Sequence, residues 1–153
     1  MKLNWVSYPT FGINSNFDDM KKLAAILLFS FILSAKSFGQ NFPLTHLSPN
    51  SEFENIHVQN IYSDSLSSSF VIWVKKSVRP HYHAEHTEAV TVLNGKGIMQ
   101  LGDSSFKIRK GSVIIIPKGT VHSVEVTSRK PLLVLSVQAP EFKGKDRIFV
   151  KDE

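Results

Sequence analysis

The chain has 153 residues, 42% hydrophobic and 20% charged, which suits one small globular domain and leaves little room for a second. Its net charge of +5 is spread in short pairs such as Lys75-Lys76 and Arg109-Lys110, interleaved with acids and apolar residues, so no nucleic-acid partner is expected. There is no cysteine, hence no disulfide framework and no thiol nucleophile, and any metal site must use His, Asp or Glu.

The first feature in chain order reads as an export signal. Lys21-Lys22 supply a positive segment and Leu23 to Leu33 an apolar core. Ser37-Phe38-Gly39 then puts small residues where a cleavage site before Gln40 needs them. The apolar run is short for a spanning helix, which takes ~20 residues. Residues 20–39 are therefore expected to be a cleaved signal peptide that sends the chain to the periplasm or outside the cell. No stable membrane span would then remain; an uncleaved anchor is the alternative. Residues 1–19 carry Asp18 and Asp19, which such a positive segment avoids. Met20 is thus the expected translation start, with residues 1–19 an upstream extension.

Residues 40–68 form a turn-rich lead with Pro43 and Pro49, in which "IHVQNIY" suits an edge strand. His46 and His57 stand alone there and read as surface or packing residues. Residues 69–153 are expected to form the barrel. "SSFVIWVKKSV", "EAVTVLNG", "GIMQLG", "SFKIRKG", "SVIIIPKG", "HSVEVTS" and "PLLVLSVQAP" are short β-rich runs, each closed by Gly, Pro, Asn, Asp or Ser. That spacing predicts an all-β sandwich or barrel, with a hairpin at Gly102-Asp103 and no helix after residue 40. Phe70 and Trp73 fall on opposite faces of one strand and read as core or dimer contacts.

The stretch "HYHAEHTE" is the chemically dense one. Period-2 alternation puts His81 and His83 on one face with Tyr82 opposite, and groups His122 with Val124 and Val126. If those faces are interior, three imidazoles enter an apolar space and need partners, which a metal ion supplies. Glu85 and His86 lie between these residues, either behind the site or at the barrel mouth; a solvated turn is the simpler reading.

Two segments carry a wider pattern. His81-x-His83 is followed by four residues, Glu88, six residues and Gly95; Gly111 is followed by five residues, Pro117-x-Gly119, two residues and His122. This closely resembles the two signature motifs of the cupin superfamily and covers roughly residues 70–140. The sequence departs from the pattern at Lys75, where the family has Gly, and at Val126, where it has Asn. Neither is a ligand position. The resemblance implies an all-β double-stranded β-helix, or jelly-roll, barrel. It places His81, His83, Glu88 and His122 at the metal-ligand positions, with Glu88 returning on the neighbouring strand.

Three imidazoles and one carboxylate suit one divalent transition ion, with Mn, Zn, Fe, Ni and Cu all compatible, and leave about two positions open in an octahedron. The resemblance also implies a homodimer and a small-molecule ligand or substrate. Three functions stay open: a metal-dependent enzyme of dioxygenase, isomerase or lyase type, a non-catalytic binding module, or a dimer in which the metal only ties strands together. Few further acid–base groups are evident, and no basic cluster is expected to face the cavity. The closing stretch "APEFKGKDRIFV" resembles the segment that packs back across small cupin barrels and offers no evident chemistry.

Overall fold

The computed structural model describes residues 16–32, 39–44 and 47–150. The chain divides into two compact units, Met1–Asn41 and Phe42–Glu153. In the first, one helix, α1, spans Phe17–Ile32. Asp18 and Asp19 sit in its first turn, where the helix dipole favours negative charge. No helix among the described residues is long and apolar enough to cross a membrane. Residues 1–15 of the expected extension, Ser37-Phe38 of the expected cleavage site and His46 lie outside the described residues.

The second unit consists of strands: β1 (Ile56–Ser63), β2 (Ser68–Val74), β3 (Ser77–Tyr82), β4 (Thr87–Asn94), β5 (Lys96–Leu101), β6 (Ser104–Arg109), β7 (Val113–Ile116), β8 (His122–Val126), β9 (Leu132–Ala139) and β10 (Ile148–Phe149). They form two five-stranded sheets, β1-β2-β9-β4-β7 and β10-β3-β8-β5-β6. The "IHVQNIY" run is β1, an edge strand paired antiparallel with β2. The hairpin at Gly102-Asp103 joins β5 to β6 with Leu101 opposite Ser104. Gly102 has φ 54° and, among the described residues, no non-glycine residue has positive φ, so the loop has the type II′ form that favours glycine at its first central position.

Alternation along the strands builds the core. Val92, Ile114, Ile116, Leu132 and Val134 from one sheet meet Met99, Ile108 and Val124 from the other. Each fully buried aliphatic side chain of this kind contributes about 1.5–3 kcal/mol. The inward rows change character along their length. On β9, buried Leu132 and Val134 give way to buried Ser136 and Gln138; on β4, Val92 and Val90 lead to Glu88; on β8, Val124 leads to His122. The polar ends of these rows collect at one end of the barrel.

Candidate metal centre

His81 is the last but one residue of β3 and pairs directly with His122, the first residue of β8. His83 follows immediately beyond β3, with its ring on the same face. The three ring centroids lie 4.1, 5.3 and 5.4 Å apart, and each ring offers a nitrogen within 4.8 Å of the others. Glu88 reaches the same point from β4. Its Oε2 is 3.4 Å from Nε2 of both His83 and His122. All four residues are buried.

One expectation is corrected here. Glu88 does not come from a strand beside the histidines: β4 belongs to the facing sheet, and the loop at residues 83–86 crosses from one sheet to the other. Alternation fixes which face a side chain takes, not which sheet its strand joins. The carboxylate therefore closes the site from the opposite wall.

The tautomers follow from the hydrogen bonds. His81 Nδ1 contacts the Arg79 carbonyl at 2.9 Å, His122 Nδ1 the Thr120 carbonyl at 3.0 Å, and His83 Nδ1 the Asp146 carbonyl. A carbonyl only accepts, so each Nδ1 carries the hydrogen and each Nε2 turns a lone pair inward. Nε2 of His83 and of His122 is buried without a hydrogen-bond partner. Glu88 is similarly oriented: Oε1 accepts from Ser136 Oγ and, at 3.4 Å, from Gln138 Nε2, leaving Oε2 for the centre.

Electrostatics reinforce this arrangement. Burial pushes His81 down to about 4, aided by His122, so its Nε2 lone pair is bare at neutral pH. Burial would raise Glu88, but the His122 and His83 rings and the Ser136 hydroxyl outweigh it and hold the carboxyl well below the usual range. Burial would also lower His83, but the Glu88 carboxylate and the Asp146 carbonyl lift it above its ordinary value. Lone pairs and a carboxylate oxygen converging on one buried point repel each other unless a proton, as the raised His83 favours, or a metal cation sits between them. The three imidazoles therefore form a group that could hold a divalent ion, with the Glu88 carboxylate facing His83 and His122 at 3.4 Å.

The surrounding loop is held from far along the chain. Asp146 accepts from the backbone N–H groups of Ala84 and Glu85, both at 2.9 Å, and of His86 at 3.2 Å. Partial burial pushes its carboxyl up, yet His86 and these amides hold it down at about 2. His86 is buried, with Nδ1 on the Asp146 carboxylate and Nε2 3.0 Å from the Glu141 carbonyl; it is not a solvated turn residue. Phe142 packs edge-on against the rings of His83, His86 and Phe70. Gly119, at φ 78°, donates its N–H to the His83 carbonyl at 2.6 Å, so the Pro117-x-Gly119 turn fastens the first ligand segment as it delivers His122. Away from the site, His57 packs between Phe53 and Trp73.

Sequence reasoning missed Ser136, Gln138, Asp146 and Arg147. The first two had a signal, since they are polar residues at inward positions of an apolar strand. Asp146 and Arg147 had none.

A family model for the cupin domain matches residues 69–138. The chain belongs to the cupins. It is 39% identical over 98 residues to an uncharacterized protein of Aquifex aeolicus, an alignment covering 64% of this chain and 80% of that one. It is 33% identical over 91 residues to the uncharacterized protein MJ1618 of Methanocaldococcus jannaschii, covering 57% of this chain and 71% of the relative. Among solved structures, KdgF from Halomonas sp. superposes with a TM-score of 0.60 at 17% identity, over 69% of this cupin and 97% of KdgF. At that identity the likeness concerns the fold alone.

Proposed function

We propose that this cupin is an exported protein in which His81, His83, Glu88 and His122 hold one divalent transition ion, and that the barrel takes a small organic molecule beside it. The observation that carries the reading is the fixed direction of the donors. Three Nδ1 atoms are tied to carbonyls and Glu88 Oε1 to Ser136, so every free donor atom faces one point. When bound, such an ion polarises an oxygen of a ligand or binds dioxygen, which is dioxygenase, isomerase or lyase chemistry. The protein's own part is to orient the donors and to supply an apolar chamber that excludes water. Metal analysis of protein taken from its native host tests the reading: close to one ion per chain is expected, and a metal-free, ligand-free barrel would overturn it.

A binding module without turnover is the second reading. It is favoured by the cavity lining, where only Ser123 and Arg147 are polar apart from the four candidate ligands. A turnover screen over phenolics, keto acids and sugars separates the two: an ion-loaded protein inert throughout favours the module.

Export and assembly belong to the same proposal. Intact mass of the native product should correspond to a chain beginning near Gln40; a product retaining residues 1–19 would overturn it. Val113 and Ile115 point outward from β7, 65% and 56% exposed, in the same row as Leu135 and Val137 of β9. A homodimer through this apolar face is expected, and light scattering showing a strict monomer at micromolar concentration would overturn it.

A further inference from the structure

The cavity inside the barrel is about 80 Å³. That is room for on the order of five waters. Side chains of both sheets line it, among them Val78, Val90, Met99 and Val124, and the four candidate ligands form part of the wall. A single cation joins that lining, Arg147, contributed by the closing segment just before β10. One basic residue is not a cluster, and pattern reading could not place it at the cavity wall.

Arg147 is half-buried, and its Nε is enclosed without a hydrogen-bond partner. No ion pair involves it among the described residues. Acids that might have served are committed elsewhere. Glu88 faces the histidines and Ser136, Asp146 binds the amides of residues 84–86, and Glu141 pairs with Lys143 at 3.5 Å. An arginine used for structure alone normally spends its buried N–H groups on a carboxylate or on carbonyls, because an enclosed donor without an acceptor is costly. Here the donor is left over beside an apolar chamber.

We propose that Arg147 anchors the carboxylate of a small, otherwise apolar monocarboxylic acid bound in this cavity. The planar guanidinium matches a carboxylate in a two-point hydrogen bond, and the aliphatic walls match a short carbon chain. A phosphate fits worse, since its second charge would find no further basic side chain in the lining. The inference rests on the metal-site reading of the same barrel and names its ligand class.

The test uses the full chain, zinc-loaded and zinc-free, titrated calorimetrically with butyrate and with butyramide, its uncharged counterpart. Wild type should prefer butyrate at least about tenfold, and Arg147→Gln should abolish that preference while zinc content stays at the wild-type level. A merely structural Arg147 would lower both affinities together and leave their ratio unchanged. Equal affinity for the two probes in wild type, no butyrate binding, or an unchanged preference in Arg147→Gln would overturn the proposal. If Arg147→Gln fails to fold, Arg147→Lys decides: a several-fold loss of butyrate affinity upholds the two-point anchor, and none overturns it. Failure of the metal reading is separable. It shows as absence of zinc uptake by wild type, whereas butyrate preference in the zinc-free protein still reports on Arg147.

Discussion

The two ends of the barrel interior are built by the same strands and do opposite work. At one end β4, β8 and β9 contribute Val92, Val124, Leu132 and Val134; further along, the same inward rows contribute Glu88, His122, Ser136 and Gln138. The apolar end gains free energy by leaving water. The polar end gathers buried lone pairs and a carboxylate, which is unfavourable without a cation. Stability and site are thus divided along each strand, and damage at one end should leave the other largely intact.

The largest effect should come from deleting a donor. His122→Ala should eliminate stoichiometric metal while the far-ultraviolet circular dichroism spectrum stays that of a β-barrel. Glu88→Gln keeps the size but removes the charge that balances the ion, and should also lower metal content sharply. One ion per His122→Ala chain, with coordination unchanged, would show that the ligand set is wrong. At the apolar end the pattern reverses. Leu132→Ala should cost about 2–5 kcal/mol in denaturant unfolding, as large-to-small changes in packed cores do, yet leave metal per folded chain unaltered. Metal loss in that variant under folding conditions would remove the division between the two ends.

A further contrast lies between the motif segments and the closing segment. The motif residues were legible because the chemistry demands them at fixed offsets: two histidines one residue apart share a strand face, and Gly119 must reach positive φ to bring His122 in. The barrel was legible from the regular spacing of short runs. The sheet that holds Glu88 was not, because alternation carries no information about strand partners. Asp146 and Arg147 were not legible either. They reach the site across a turn, "KGKDRIF", that has no periodicity, and Asp146 meets its partners 60 to 63 residues away in sequence. His86 read as a turn residue because the groups that enclose it come from that same distant segment.

Asp146→Asn measures the closing segment's share. The amide keeps one acceptor oxygen but loses the charge, so the loop at residues 83–86 should loosen and metal affinity should fall about 10–100-fold, the usual cost of losing a partner that orients a ligand. The Asp146 carboxyl is lower in the folded chain, at about 2, than the ordinary 3.8. The stabilisation it gives is therefore complete above about pH 4 and fades as pH falls toward 2. The Asp146→Asn and wild-type proteins should differ in thermal midpoint at pH 7 and draw together under strong acid. A constant difference across that range would assign the effect to shape instead of charge.

The smallest effect is expected from Ser136→Ala, which measures the support given by β9. Ser136 donates to Glu88 Oε1, both residues being buried, and Gln138 approaches the same oxygen at 3.4 Å. Removing the hydroxyl takes away one of two donors that fix the carboxylate's rotation, while Oε2 keeps its place opposite His83 and His122. Metal affinity should fall by about tenfold, the low end of what one hydrogen bond to a charged group is worth, because Gln138 still approaches the same oxygen. Asp146 acts through His83 and its loop, whereas Ser136 acts through Glu88 on the opposite wall. Because the two residues hold different ligands from different sheets, their costs in metal affinity should add in the double variant to within about 0.5 kcal/mol. Strong non-additivity would mean that the two walls do not position their ligands independently and that one loop movement governs both.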